Sequence, residues 1–568
     1  MRYKNSFDHI ILHDGKTLKT ITDLAETLES HPSFNNEILT LLNDQDLEVW
    51  LRRIDEMTVA VQVKEIRLAI KRPDDTLVEL RKALGICGSG DETELIKEIR
   101  NAKPGDTIKI VAGVYNLTEP LVIQKSLVLL GQGIEQTRIL CSSEGSVMRL
   151  EGYFDWQING IAFVHQGTKW ADVVVVENGS LAMSKCTCIG GVCDREGGTV
   201  GNGLVLLGKA KGSIKRSKFL KNSHGISVID HSKLFLEDNI CRENRINGID
   251  CFDSASGKAI NNQCIANGVN GIYMGGKAQP VLEGNLCRDN KRNGIACFDS
   301  ASGKAINNQC VANGVNGIYI GGKAQPVLEG NLCRDNKRNG IAYFESASGI
   351  ASNNQCIANK KFGILVVEQA QPVLEGNLCQ ENKSAGIAYL ECAGGKASNN
   401  QCVSNGLHGI YVGGEVQLDM DGNLCRENRR NGIAYFGSAG GKSSINKCIA
   451  NGLHGIYLGD EAHIVMEGNI CRENKGTGIL YFDSAGGKAS NNQCIANGLH
   501  GISVDRIANP TLNGNLCREN KNAGIAYIGS EGGMSINNQC IDNEQYGILV
   551  GEKAHPVLDG NRCNDTKC

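Results

Sequence analysis

A Gly-Ile pair recurs every 23 residues through the later part of this 568-residue chain, with glycine at 225, 248, 271, 294, 317, 340, 363, 386, 409, 432, 455, 478, 501, 524 and 547. A cysteine recurs at the same interval from Cys241, Cys264 and Cys287 to Cys563. An asparagine stands two residues before each of these cysteines, from Asn239 to Asn561, and another three residues after, from Asn244 to Asn543. Self-similarity at a fixed period means stacked units that bury their apolar faces on one another. A unit of 23 residues rich in Gly, Asn, Ile and Val cannot make two helices, but it can make three short strands joined by turns. Coils stacked about 4.8 Å apart align equivalent residues in ladders. Asn suits the turns because it tolerates left-handed backbone angles and its amides bond to one another when stacked. Ile and Cys alternate with polar residues and read as inward-facing. The expected fold is an all-β solenoid, a right-handed parallel β-helix of about twenty rungs.

A second period of 46 residues overlies the first: one kind of rung reads NNQCIANGVNGIYMGGKAQ (261–279) and the next GNLCRDNKRNGIACFDSAS (284–302). The first hundred residues differ, holding four of the 70 glycines and only Cys87 of the 24 cysteines. Short amphipathic helices are expected there, one opening at Thr22-Asp23-Leu24, one over Asp44–Ile54, and others over Val63–Ile70 and Leu77–Leu84, with Gly85 and Gly88 as stops. Three regions follow: 1–88, a small helical domain; 89–224, a helical cap and irregular first rungs; and 225–568, the regular rungs.

The succession from Glu94 through Pro104-Gly105-Asp106-Thr107-Ile108, then Gly113-Val114-Tyr115 and Leu129-Leu130-Gly131, resembles the opening of the pectin-lyase-like superfamily of right-handed parallel β-helices. The Asn-x-Cys and Asn-Gly-Ile rungs look most like its carbohydrate-binding and sugar-hydrolase repeats. The resemblance implies that a short helix caps the coil, and it raises a polysaccharide lyase, hydrolase or epimerase as one possible activity. The Asp/Arg set of pectate lyases, the Asn-Thr-Asp and Asp-Asp motifs of polygalacturonases and the Asp-Pro-His motif of alginate epimerases are not found in this sequence, which weighs against an enzyme.

With 41% hydrophobic residues and a net charge of -3, the composition is not that of a disordered chain or a general nucleic-acid binder. No apolar run reaches the roughly 18–20 residues that span a bilayer. The start, MRYKNSFDHIILHDGK, shows no secretory signal, so a cytoplasmic protein with reduced thiols, and no cofactor, is expected.

Several constellations could carry chemistry. The cysteine ladder reads as buried packing, because Phe219 holds the equivalent place one rung earlier. Cys186, Cys188 and Cys193 could hold a metal with His224, although their spacing matches no recognised zinc pattern, and Cys188 reads as the start of the core ladder. His408, His454 and His500 read as turn residues, two rungs apart. The Arg242, Arg288, Arg334, Arg426, Arg472 and Arg518 corner is offset by the acid after each arginine. Glu345, Glu368 and Glu391 fall on three consecutive rungs, where stacking would bring carboxylates about 5 Å apart, a spacing for an acid/base pair or a cation. The rung between is the most aberrant, with Lys360-Lys361-Phe362 before its glycine. The residue after each Gly-Ile isoleucine should point outward, placing Tyr273, Tyr319, Tyr411 and Tyr457 on one external strip alternating with alanines. Such a strip marks a contact surface or packs upon itself. The expected function is non-catalytic binding or scaffolding, a rigid repetitive face for a protein or polysaccharide. The alternatives are a carbohydrate-active enzyme and a self-assembling structural protein.

Overall fold

The computed structural model describes residues 10–12, 17–30, 35–43, 46–53, 59–60, 63–64, 92–194, 200–529 and 533–564. Among these, the chain forms about 20 turns of a parallel β-solenoid and a small N-terminal helical region, with no helix long and apolar enough to cross a membrane.

One compact unit comprises Met1–Leu204 with Ser213–Lys218. Its first helix, Ile21–Ser30, is capped by Thr20, whose Oγ1 accepts the Asp23 N–H at 3.1 Å while the Asp23 carboxylate accepts the Thr20 N–H at 2.9 Å. A helix over Asp46–Arg53 matches the expected periodicity. The helix Asn35–Asn43 and the antiparallel pair Ile10–Ile11 with Thr17–Leu18 were not anticipated, because such short segments carry little periodic signal. Leu24, Ile38, Leu42, Leu47, Trp50 and Leu51 share a core with Ile10 and Leu18. Apart from Val63 and Lys64, the helices expected over Val63–Ile70 and Leu77–Leu84, with Gly85, Cys87 and Gly88, lie outside the described residues. The helix Glu92–Asn101 buries Leu95 and Ile99. The Asp106 carboxylate then accepts the Lys103 N–H at 2.7 Å, turning the chain into the strand Thr107–Lys109.

The other unit comprises Val205–Gly212 with Phe219–Cys568. Each of its regular turns contributes one strand to each of three parallel sheets, as Gln263–Ile265, Ile272–Met274 and Gln279–Glu283 do. The register sets Cys264 between Cys241 and Cys287 in the first sheet and Ile272 between Ile249 and Ile295 in the second. Two asparagine ladders bracket the first sheet. Asn262 Nδ2 donates to Asn285 Oδ1 at 3.0 Å and Asn267 Nδ2 to Asn290 Oδ1 at 2.9 Å, and the pattern repeats turn after turn. Apart from Asn561 at the end, the amides in these ladders are buried, so pairing each with the next turn avoids the cost of an unsatisfied polar group.

The 46-residue period has a packing cause. Tyr343, Tyr389 and Tyr481 point inward from the second sheet, and Ala351, Ala397 and Ala489 stand at the interior position of the third-sheet strand that follows each of them. The intervening turns combine Ile320 with Leu328 and Val366 with Leu374. From Tyr343 on, large-plus-small thus alternates with medium-plus-medium, whereas Cys251 with Ala259 and Cys297 with Ala305 fill the same places on earlier turns.

Candidate interaction surface

The outer face of the second sheet carries an ordered row of part-buried aromatic side chains. Tyr273, Tyr319, Tyr411 and Tyr457 are half-buried on this face, one residue after the isoleucine. Phenylalanines two residues further along the alternate turns complete the row. Phe298 stacks between Tyr273 and Tyr319, with ring centroids at 5.7 and 4.8 Å, and Phe344 lies 5.2 Å from Tyr319. A second stack runs Tyr411, Phe436, Tyr457, Phe482, with separations of 5.4, 5.0 and 6.4 Å, and the Arg506 guanidinium lies 4.5 Å over Phe482. The spacing after each Gly-Ile pair points only to the tyrosine column. The phenylalanines share its strand parity, and that was the signal available for finding them.

Reciprocal small residues make the stack possible. Ala296, Ala342, Ala388 and Ala434 are fully buried beneath it. On the tyrosine turns a glycine takes the phenylalanine's place: a Cβ on Gly321 would lie 2.8 Å from Tyr319 Cε1, and one on Gly459 would lie 2.7 Å from Tyr457 Oη. Tyr-x-Gly therefore alternates with Ala-x-Phe. Between the two stacks the pattern breaks into an aliphatic patch, in which Leu365, Val367, Ala342 and Ala388 pack with Phe344, Phe362, Leu390 and Tyr411.

This patch lies on the aberrant rung. Glu345, Glu368 and Glu391 stand at one end of the second-sheet strands, and with Ser346, Gln369 and Cys392 they line an open depression of about 430 Å³. They hold left-handed backbone at φ 58°, 61° and 63°, in the place that Gly276, Gly322, Gly414 and Gly437 take on other turns. Lys360 and Lys361 are exposed on the turn before Ile364–Val366, at the opposite end of that strand from Glu368. The structure brings the glutamates together and sets the lysines across the apolar patch from them.

The remaining candidates are placed as follows. Every described cysteine is free, and the ladder from Cys241 to Cys540 is buried, whereas Cys392 is exposed. Cys188 is buried in register with Phe163, and burial pushes the Cys186 thiol up to about 11. Among the described residues no group of three His, Cys, Asp or Glu is arranged to hold a metal ion. His224 lies 3.7 Å from the Asp250 carboxylate, and burial lowers the histidine and raises the aspartate, favouring the neutral form of each. The arginine corner is paired as its sequence suggests, Arg288 with Asp289 at 3.2 Å and Arg334 with Asp335 at 3.3 Å.

No significant match is found among curated proteins. Among solved structures the chain is similar to a periplasmic alginate epimerase, AlgG, at 13% identity over 68% of this chain and 90% of that one, with a TM-score of 0.32. It is similar to the A-module of the Azotobacter vinelandii mannuronan C-5 epimerase AlgE4 at 16% identity over 70% and 96%, with a TM-score of 0.31. The Dettilon tailspike protein is 14% identical over 61% and 71%, with a TM-score of 0.41. These likenesses carry no argument about the chemistry of this chain. A family model described as right handed beta helix region matches residues 172–321, 302–419, 385–504 and 486–568. With three stacked parallel sheets in the same region, the chain belongs to the right-handed β-helix family.

Proposed function

We propose that this protein is a non-catalytic binding module, and that the outer face of its second sheet is a repetitive contact surface for a protein or a polysaccharide. One observation carries the reading: two half-buried aromatic stacks, joined by the part-buried Phe362 and Leu390, form an ordered apolar stripe on the outside of the coil. A contiguous external stripe of this kind marks an interaction site. Equivalent positions every two turns would let weak contacts add by multivalency. The rings stack on one another, so their faces are engaged and the stripe offers edges and hydroxyls. That geometry favours a flat protein surface over sugar rings laid on aromatic faces. The buried free thiols suit a reducing compartment, such as the cytoplasm.

The test is a quadruple Tyr→Ser variant at Tyr273, Tyr319, Tyr411 and Tyr457, assayed on a panel of acidic and neutral polysaccharides and by sedimentation for self-association. Circular dichroism should retain the β signal while binding falls. Binding unchanged in the variant would refute the contact-face reading.

A carbohydrate-active enzyme remains the rival reading, supported by the three carboxylates around one open depression. Polysaccharide cleavage or epimerisation abolished by Glu391→Gln would favour it.

A further inference from the structure

We infer that the partner of this face is a second copy of the same chain, docked face to face with the two solenoid axes parallel; this inference rests on the contact-face reading above. Three consecutive turns carry it. Each has a base on the turn before its second-sheet strand and an acid at the far end. Arg338 and Glu345 flank Ile341–Tyr343, and Lys361 and Glu368 flank Ile364–Val366. Lys383 precedes the strand Ile387–Glu391, which Glu391 ends. The same signs continue beyond, with Arg430 and Lys475 on the basic side and Glu415 and Asp460 on the acidic side. The three bases and their continuations are exposed, and among the described residues no acid of the same chain pairs with Arg338, Lys361 or Lys383. This contrasts with the Arg334–Asp335 and Arg426–Glu427 pairs of the neighbouring corner. Between the two rows the surface is apolar: the part-exposed rings and chains of Phe344, Phe362 and Leu390 cover the buried Leu365 and Val367.

An apolar strip with a basic margin on one side and an acidic margin on the other is complementary to itself in one arrangement. A two-fold axis parallel to the solenoid axis turns the strand direction around and leaves the order of turns unchanged. Each basic margin then meets the acidic margin of the other copy, turn by turn: Lys361 against Glu368, Arg338 against Glu345, Lys383 against Glu391. A two-fold axis along the strands would set acid against acid and base against base. Opposite charges in register steer and orient association, and like charges facing each other oppose it. A shared two-fold also closes the assembly at two copies, because both use the same patch.

The experiment uses the full chain and two triple variants, Arg338→Glu/Lys361→Glu/Lys383→Glu and Glu345→Lys/Glu368→Lys/Glu391→Lys. Sedimentation at micromolar concentration and low ionic strength should give a dimer for the natural chain. Each triple variant alone should be monomeric, a weakening of roughly 100-fold or more. Mixing the two should restore the dimer, which also shows that both are folded. Association should weaken in high salt, where screening shortens to about 3 Å at 1 M. Carbodiimide coupling in a mixture of light and isotopically heavy chains should join Lys361 of one copy to Glu368 of the other. A monomeric natural chain, a dimer that survives in both variants, or inter-chain cross-links that never join the two margins would each overturn the proposal. A monomer that still binds polysaccharide through its tyrosines would overturn it and leave the contact-face reading standing.

Discussion

The Glu368 carboxylate accepts the backbone N–H of Glu345, one turn earlier, at 2.5 Å. Asp299 does the same for Gly276 at 2.9 Å, and Asp460 for Gly437 at 2.8 Å. The acidic position therefore has routine structural work, satisfying the turn before it, alongside any role in contact. Glu368→Gln keeps an acceptor oxygen and should change stability by no more than about 0.5 kcal/mol. Glu391→Gly relaxes a left-handed residue, so it should be neutral or stabilising by up to about 1 kcal/mol. Urea unfolding measures both. Destabilisation by Glu391→Gly would show that its side chain holds the fold.

The inward tyrosines make a second expectation. The hydroxyls of Tyr343, Tyr389 and Tyr481 are buried with no hydrogen-bond partner. Leaving such a group unsatisfied costs about 1–3 kcal/mol, so Tyr343→Phe should raise stability by about 1 kcal/mol without disturbing the packing. A loss of stability on this substitution would mean that the hydroxyl finds a partner.

Acid should weaken the coil through its turn histidines. Burial, with Arg430 adding to it, holds the His408 imidazole down to about 4 from an ordinary 6.5. Burial likewise takes His454 to about 4, and its Nδ1 accepts the Thr477 N–H at 3.0 Å. Between these values the unfolded chain binds protons that the folded chain refuses. Stability is therefore full above about pH 6.5 and falls as the pH drops toward 4. Asn431 fills the equivalent place one turn after His408, so His408→Asn should fold and show a shallower decline in urea midpoint over this window. An unchanged slope would exclude His408 as a source of acid sensitivity.

Thiol labelling of the native protein should reach Cys392 quickly and leave the ladder from Cys241 to Cys540 unmodified until denaturant is added. Peptide mapping of the labelled sites checks this. Prompt native labelling of Cys310 or Cys333 would contradict the buried ladder.

The repeat by itself determined the solenoid, its turn length and its inward columns, because a 23-residue period and strand alternation leave equivalent side chains no choice but to stack. It also placed Tyr273, Tyr319, Tyr411 and Tyr457 outside. What it could not yield was how side chains on neighbouring turns share space. Phe298 reaches Tyr319 across a turn boundary only because Ala296 and Gly321 leave room, and Tyr343 fits inside only because Ala351 is small. Glu345, Glu368 and Glu391 were legible as a cluster, since they share one column. That Lys361 stands at the opposite end of the strand from Glu368, with Leu365 and Val367 between them, came from the tertiary structure. A period specifies what lies above and below a residue, while the packing of side chains across a face decides which of those columns become one surface.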